Sequence, residues 1–167
     1  CTFVHFDKRG TGMSDRVVDL TLPRRLRDFE AVLDDAGIER AVLAGVSEAG
    51  PLAIAFAAAH PERVFGLVLI NTFARAVWAP DHAIGTPPEA YAAVTAAWEA
   101  GWGRDAAGVV DWFAPSMRDD GDYRTWLAHY MRQSCSPGTL RSINEANGLI
   151  DVRPLLATPE ESRAYTK

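Results

Sequence analysis

Apolar residues recur along this chain at two spacings, every second position or every third to fourth, and the changes between them mark out the elements. Residues 2–7, Thr-Phe-Val-His-Phe-Asp, alternate and are rich in Phe and Val, which predicts a short strand. The run Asp7-Lys8-Arg9-Gly10-Thr11-Gly12-Met13-Ser14-Asp15 follows, a loop punctuated by two glycines. Leu26, Phe29, Val32, Leu33 and Ala36 then fall at helical spacing, predicting a helix over 24–37 with Gly37 placed to end it. Residues 40–45, Arg-Ala-Val-Leu-Ala-Gly, are apolar on both faces, as a buried parallel strand requires. Residues 49–59 are small, apolar and helix-forming, with Pro51 tolerated in the first turn and His60-Pro61 as the stop. Val64 to Ile70 predicts a third buried strand. Strand, helix, strand, helix, strand implies right-handed crossovers and a parallel sheet of about three strands, an α/β architecture.

After Asn71 the pattern changes. Residues 73–150 are rich in Trp and Ala and carry no further strand signal; helices are expected near 87–102, 106–113, 121–133 and 138–148. Trp78, Trp98, Trp102, Trp112 and Trp126 all fall here, where packing between small helices is their expected role. Residues 151–157 read as a connector back toward a sheet, and 158–167 as a polar tail. The expected organisation is therefore a partial α/β core over 1–75, a helical cap over 76–150, and a connector and tail over 151–167.

Composition narrows the function classes. The 167 residues are 48% hydrophobic and 23% charged, ordinary globular usage for one domain. A formal net charge of −5 leaves no basic excess to neutralise phosphates, so neither nucleic acid nor an anionic membrane surface is an expected partner. The densest basic stretch, Arg24, Arg25 and Arg27, lies among acidic neighbours and reads as a solvated helix face. Cys1 and Cys135 form neither a metal-ligand spacing nor a Cys-x-x-Cys pair; two free thiols in a reducing cytoplasm are the expectation, with a disulfide as the other reading. No apolar run has the length of a membrane span and no leader pattern opens the chain. The chain begins at Cys1 directly in an apolar stretch, which reads as a cut just before or inside a strand.

The chemistry lies at Gly45-Val46-Ser47-Glu48-Ala49-Gly50, between an apolar strand and a helix of small residues. Gly-x-Ser-x-Gly/Ala alone arises by chance in about one chain in ten of this length; its setting makes it specific. A sharp strand-to-helix turn forces its middle residue into a strained conformation and projects that side chain above the sheet. The tightness demands small residues two before and two after the nucleophile, here Gly45 and Ala49. The helix beginning under Ser47 favours an oxyanion through its free amides and dipole, and the backbone N–H of Glu48 is the expected donor. The rival reading of Ser47, as N-cap of that helix, leaves the flanking small residues unexplained.

Three stretches resemble α/β-hydrolases, in that family's order and spacing: Phe6 to Asp15, then Gly45-Val46-Ser47-Glu48-Ala49-Gly50-Pro51, then His60-Pro61-Glu62-Arg63-Val64. The resemblance implies a loop before the elbow, the nucleophile elbow itself, and the link from elbow helix to next strand, with Asn71-Thr72-Phe73-Ala74-Arg75 opening a cap. More narrowly, the Ser-Glu elbow with this cap is similar to hydrolase domains joined in some actinobacteria to adenylate/guanylate cyclase domains; a fused cyclase or other domain is thus an expected partner. It covers residues 2–157 but only the middle of the family's fold. The front loop supplying a second oxyanion donor, and the strands bearing the triad acid and histidine, find no match.

The implied order Ser, acid, His places the base downstream of Ser47, where only His60, His82 and His129 occur. His60 ends the elbow helix on the side away from the serine, and the other two lie in the expected cap. Asn71 occupies the region where some relatives carry the acid, and Asp81 is a weak substitute. Asp7 and Arg9 read as a loop pinned by their own pairing, and Glu48 through its backbone amide, with its side chain as a pocket lining the other reading. The expectation is an internal piece of a serine hydrolase acting on an ester or related small-molecule acyl substrate, inactive alone, with no metal or cofactor. The alternative is a non-catalytic ligand-binding or regulatory module on the same scaffold.

Overall fold

The computed structural model describes residues 2–16, 19–104 and 106–156. Cys1 and the tail expected over 158–167 lie outside them. The chain divides into two compact units, one of Cys1–Arg25 with Val77–Gly148, the other of Leu26–Ala76 with Leu149–Lys167.

The second unit carries the sheet. Helix α1, Leu22–Asp35, which belongs to this unit from Leu26 onward, leads into strand β1, Ala41–Val46; helix α2, Ala49–Ala59, returns to β2, Val64–Ile70. The strands pair in parallel, with Leu43 opposite Leu67 and Val46 opposite Ile70. Both strands and α2 lie where the apolar runs place them. Gly50 to Phe56 of α2 are buried without a break, because a helix apolar all round has no face to give to water. Leu33 of α1, Leu43 of β1 and Ala53 and Phe56 of α2 form the core, with Leu26, Phe29, Ile38, Ala41 and Val64 against it. The Phe29 and Phe56 rings meet at 4.9 Å. Arg63 clasps the far end, donating to the Asp34 carboxylate and to the Ile38 and Glu39 carbonyls.

Two expectations about the sheet are corrected. Residues 2–8 form no strand, so the described residues hold two parallel strands rather than three. Alternation makes a segment able to extend, but a strand exists only where a neighbour completes its ladder. Nor are β1 and β2 buried on both faces: Leu43 and Gly45 point into the core, while Val42, Val46, Leu67, Leu69 and Ile70 are exposed and Phe65 is 66% exposed. An apolar strand sequence states what the strand can bury, not what covers it.

The segment after residue 148 rejoins this unit through a single antiparallel bridge, Arg75 to Asp151, rather than a strand. The Val152 N–H donates to the Ala74 carbonyl at 2.9 Å and its side chain is fully buried. Asp151 accepts from Arg153 and from Arg75, and the Arg153 guanidinium first, with Arg75 adding to it, holds the Asp151 carboxyl well below the usual carboxylate range.

The first unit is helical: α3, Pro88–Gly101; α4, Ala107–Phe113; α5, Gly121–Ser134; α6, Pro137–Gly148. These match the four expected helices within two residues at each end. Ala106, Val110, Ala128 and Met131 form their core, and Asp120 caps α5 by accepting the Tyr123 N–H at 2.9 Å. Trp98 packs on Phe113 and Trp112, and the Trp102 indole donates to the Cys135 carbonyl. Trp126 instead lies exposed between Tyr123 and Tyr130 on α5.

Here too the reading of charged residues changes. Arg25 is buried and donates to the Asn147 amide oxygen at 2.7 Å, while Arg24 and Arg27 are exposed. The helical turn separates neighbours by about 100°, so one basic run is split between core and solvent. The Phe6–Asp15 loop is clasped by Asp7, which accepts the Met13 N–H, and by Arg16, which donates to the Gly10 and Gly12 carbonyls, rather than by an Asp7–Arg9 pair. Cys135 is a buried free thiol, and burial raises its pKa. No helix among the described residues is long and apolar enough to cross a membrane.

Candidate functional site

Ser47 stands between the last residue of β1 and the first turn of α2, with a φ of 51°. That left-handed conformation is unfavourable for a residue with a Cβ, so the surroundings must hold it. They do so through the backbone. The Ser47 N–H donates to the Ile70 carbonyl at the end of β2, and the Ser47 carbonyl accepts from the Gly50 N–H, both at 3.1 Å. The same carbonyl accepts from the Thr72 hydroxyl at 2.5 Å. With its main chain so engaged, the half-buried residue is left with its hydroxyl outside the turn's bonding; among the described residues Ser47 Oγ makes no hydrogen bond.

The small residues around Ser47 have a steric cause. A Cβ on Gly45 would come 2.8 Å from Gly50 Cα and 3.0 Å from the Ala49 carbonyl oxygen. A Cβ on Gly50 would overlap the Thr72 side chain. Ala49 is the first residue of α2, where no bulkier side chain is present to crowd the turn. The N-cap of α2 is Glu48, in a helical conformation and with no side-chain capping bond. Ser47 is therefore not the capping serine of the rival reading. The Glu48 N–H belongs to the first turn of α2, among the donors that a helix start leaves to outside acceptors.

The histidines are placed as follows. His60 caps the opposite end of α2, its ring tilted against Phe56 at 4.8 Å and its Nδ1 3.8 Å from Glu62. Eleven residues of helix separate it from Ser47, about 16 Å along the axis, beyond reach of a proton transfer. His60 is the one histidine in its unit; His5, His82 and His129 belong to the helical unit, as does Asp81. Asn71 follows β2 directly, exposed and with a φ of 48°. Among the described residues no group of His, Cys, Asp and Glu could hold a metal ion.

Thr72 was not singled out by the pattern of the chain. Its hydroxyl and methyl meet the elbow from 25 residues away in sequence, and the only local trace of it is the second glycine of the elbow, Gly50, whose smallness Thr72 explains.

The alpha/beta hydrolase fold family model matches residues 1–114. A 67-residue stretch is 47% identical to a 2-hydroxy-6-oxononadienedioate/2-hydroxy-6-oxononatrienedioate hydrolase of Paraburkholderia phymatum, covering 39% of this chain and 23% of that one. Among solved structures, an esterase of Exiguobacterium antarcticum superposes with a TM-score of 0.71 at 19% identity, over 89% of this chain and 56% of that one. The enol-lactonase of Burkholderia xenovorans LB400 superposes with a TM-score of 0.66 at 23% identity, over 93% of this chain and 64% of that one. The chain thus spans little more than half the length of the esterase and under two thirds of the lactonase, and its likeness to them is one of fold. With a strand, a strained serine turn and a small-residue helix in the order that the matched family model covers, the chain belongs to the alpha/beta hydrolase fold family.

Proposed function

We propose that Ser47 is the nucleophile of a serine hydrolase acting on an ester or related acyl compound, and that its base and acid are supplied by residues beyond these 167. The observation that carries this reading is the left-handed Ser47, held by its backbone at the junction of β1 and α2 with its hydroxyl unengaged among the described residues. In this reading Ser47 Oγ attacks the substrate carbonyl carbon, and the Glu48 N–H holds the resulting oxyanion. Collapse of the tetrahedral adduct expels the alcohol, and water then releases the acid from Ser47. A hydrolase among the sequence relatives, 47% identical over 67 residues, supports hydrolysis as the reaction class.

A serine hydroxyl needs a base to attack at neutral pH. Among the described residues of its own unit the one histidine, His60, stands about 16 Å along α2 from Ser47, and in this reading the 167-residue chain is inactive or nearly so. The exposed apolar face of β1 and β2 supports the same view, since parallel sheets are ordinarily covered on both faces. The helices over 76–150 serve as a cap that shapes substrate choice. The setting proposed is cytoplasmic, with a nucleotide cyclase or another domain joined to the hydrolase.

The test is hydrolysis of an activated ester such as p-nitrophenyl acetate. The 167-residue chain is expected to give the background rate, unchanged by Ser47→Ala. A longer protein containing it, with sequence on both sides, is expected to turn the ester over and to lose that turnover on Ser47→Ala. Turnover by the short chain that Ser47→Ala abolishes would overturn the inactivity. A longer protein that binds ligands without turning them over would point to a regulatory module.

A further inference from the structure

We infer that Thr72 is a positioning residue, whose hydroxyl holds the Ser47 carbonyl and so keeps the nucleophile in its left-handed conformation. The inference rests on the reading of Ser47 as nucleophile and adds to it the residue that sets its geometry. Three observations converge on Thr72. Its Oγ1 lies 2.5 Å from the Ser47 carbonyl oxygen, a bond from the hydroxyl to the strained residue itself. Its side chain fills the space beside Gly50, where a Cβ would come 2.6 Å from Thr72 Cβ and 2.7 Å from Cγ2. Asn71, just before it, has a φ of 48°, so a second left-handed residue stands between the end of β2 and Thr72.

The arrangement gives the Ser47 carbonyl two donors from opposite sides, the Gly50 N–H from the start of α2 and the Thr72 hydroxyl from the end of β2. The Ser47 N–H is tied to Ile70, two residues before Thr72. Both peptide groups flanking Ser47 Cα are therefore fixed by one short stretch, 70–72. A peptide plane held at each side leaves φ and ψ of the residue between them little freedom, and a nucleophile displaced by even an ångström loses much of its rate. The Thr72 hydroxyl bonds the Ser47 carbonyl, so in this inference it acts through the Ser47 backbone.

Hydroxyl and methyl have separable roles, so two variants divide them. Thr72→Ser keeps the donor and loses the methyl; Thr72→Val keeps the shape and loses the donor. In the isotopically labelled 167-residue chain, the Ser47 carbonyl and Cα chemical shifts and the Gly50 amide exchange rate report the elbow directly. Thr72→Val is expected to move the Ser47 shifts and to speed Gly50 exchange roughly five- to tenfold, the scale of one lost hydrogen bond. Thr72→Ser is expected to leave both within twofold of the wild type. In an ester-hydrolysing longer protein, Thr72→Val is expected to lower kcat about tenfold or more with KM within twofold, and Thr72→Ser to restore it. Ser47 shifts displaced as far in Thr72→Ser as in Thr72→Val, or unmoved in both, would overturn the inference, and the serine variant decides even if the valine variant does not fold. Failure of the nucleophile reading shows differently, as turnover that survives Ser47→Ala while the Thr72 variants still move the Ser47 shifts.

Discussion

Helices α2 and α5 belong to different units and meet burial in opposite ways. In α2 seven consecutive residues, Gly50 to Phe56, are buried, and no polar side chain interrupts them. In α5, of 14 residues, only Ala128 and Met131 are buried, and Trp126 and Tyr130 face solvent. The first helix is positioned from all sides and can hold a strained turn at its start. The second is held along one stripe, anchored by a cap and two buried side chains. The difference teaches where the molecule can store strain: a left-handed serine persists only where the surrounding structure over-determines it.

The sharpest way to break that comparison is to hollow each core. Phe56 is 0% exposed, and Phe56→Ala is expected to cost about 3–5 kcal/mol, read as faster amide exchange across β1 and β2. Met131→Ala is expected to cost about 2–4 kcal/mol in the helical unit, read by tryptophan fluorescence, since all five tryptophans lie there. A larger loss at Met131 than at Phe56 would reverse the ranking.

Glycine substitutions sharpen the steric account of the elbow. Gly45→Ala meets backbone at Gly50, which cannot turn aside, and is expected to cost about 1–3 kcal/mol in urea denaturation. Gly66→Ala, with nothing within 4 Å of the added carbon, is the control and is expected to be neutral or stabilising. Equal losses at both positions would mean that close approach is not what keeps residue 45 small.

A smaller effect is expected at the segment that rejoins the sheet unit. The Asp151 carboxyl is held low by Arg153 and Arg75, so the folded state binds its proton less readily than the unfolded chain. Its contribution is fully present above the unfolded value near 3.9 and is lost as pH falls through the lower folded value. Asp151→Asn is expected to cost about 1–2 kcal/mol from pH 5 to 8, and the gap to the wild type should close progressively below about pH 4. A gap that stays constant down to pH 2 would remove the ionic explanation. Smallest is the α5 cap, where Asp120→Ala should cost about 1 kcal/mol in thermal unfolding of the helical unit; no change in midpoint would show that the Tyr123 bond contributes nothing.

Much of this protein was legible in order along the chain. The bounds of α2 and β2 follow from apolar runs ended by His60-Pro61 and Asn71, and the elbow from Ser47 flanked by Gly45 and Ala49. Local residue choice determines these features, because helix stops, strand alternation and the need for small side chains at a sharp turn act over a few residues. Tertiary structure decided the rest. Whether residues 2–7 pair, which face of β1 is covered and whether Arg25 is solvated all depend on partners distant in sequence. So does Thr72, an ordinary threonine until the return of the chain from β2 brings its hydroxyl to the Ser47 carbonyl. The sequence by itself determined which residue is strained; the tertiary structure decided what holds it, since a hydrogen bond across 25 residues leaves no periodic mark on either partner.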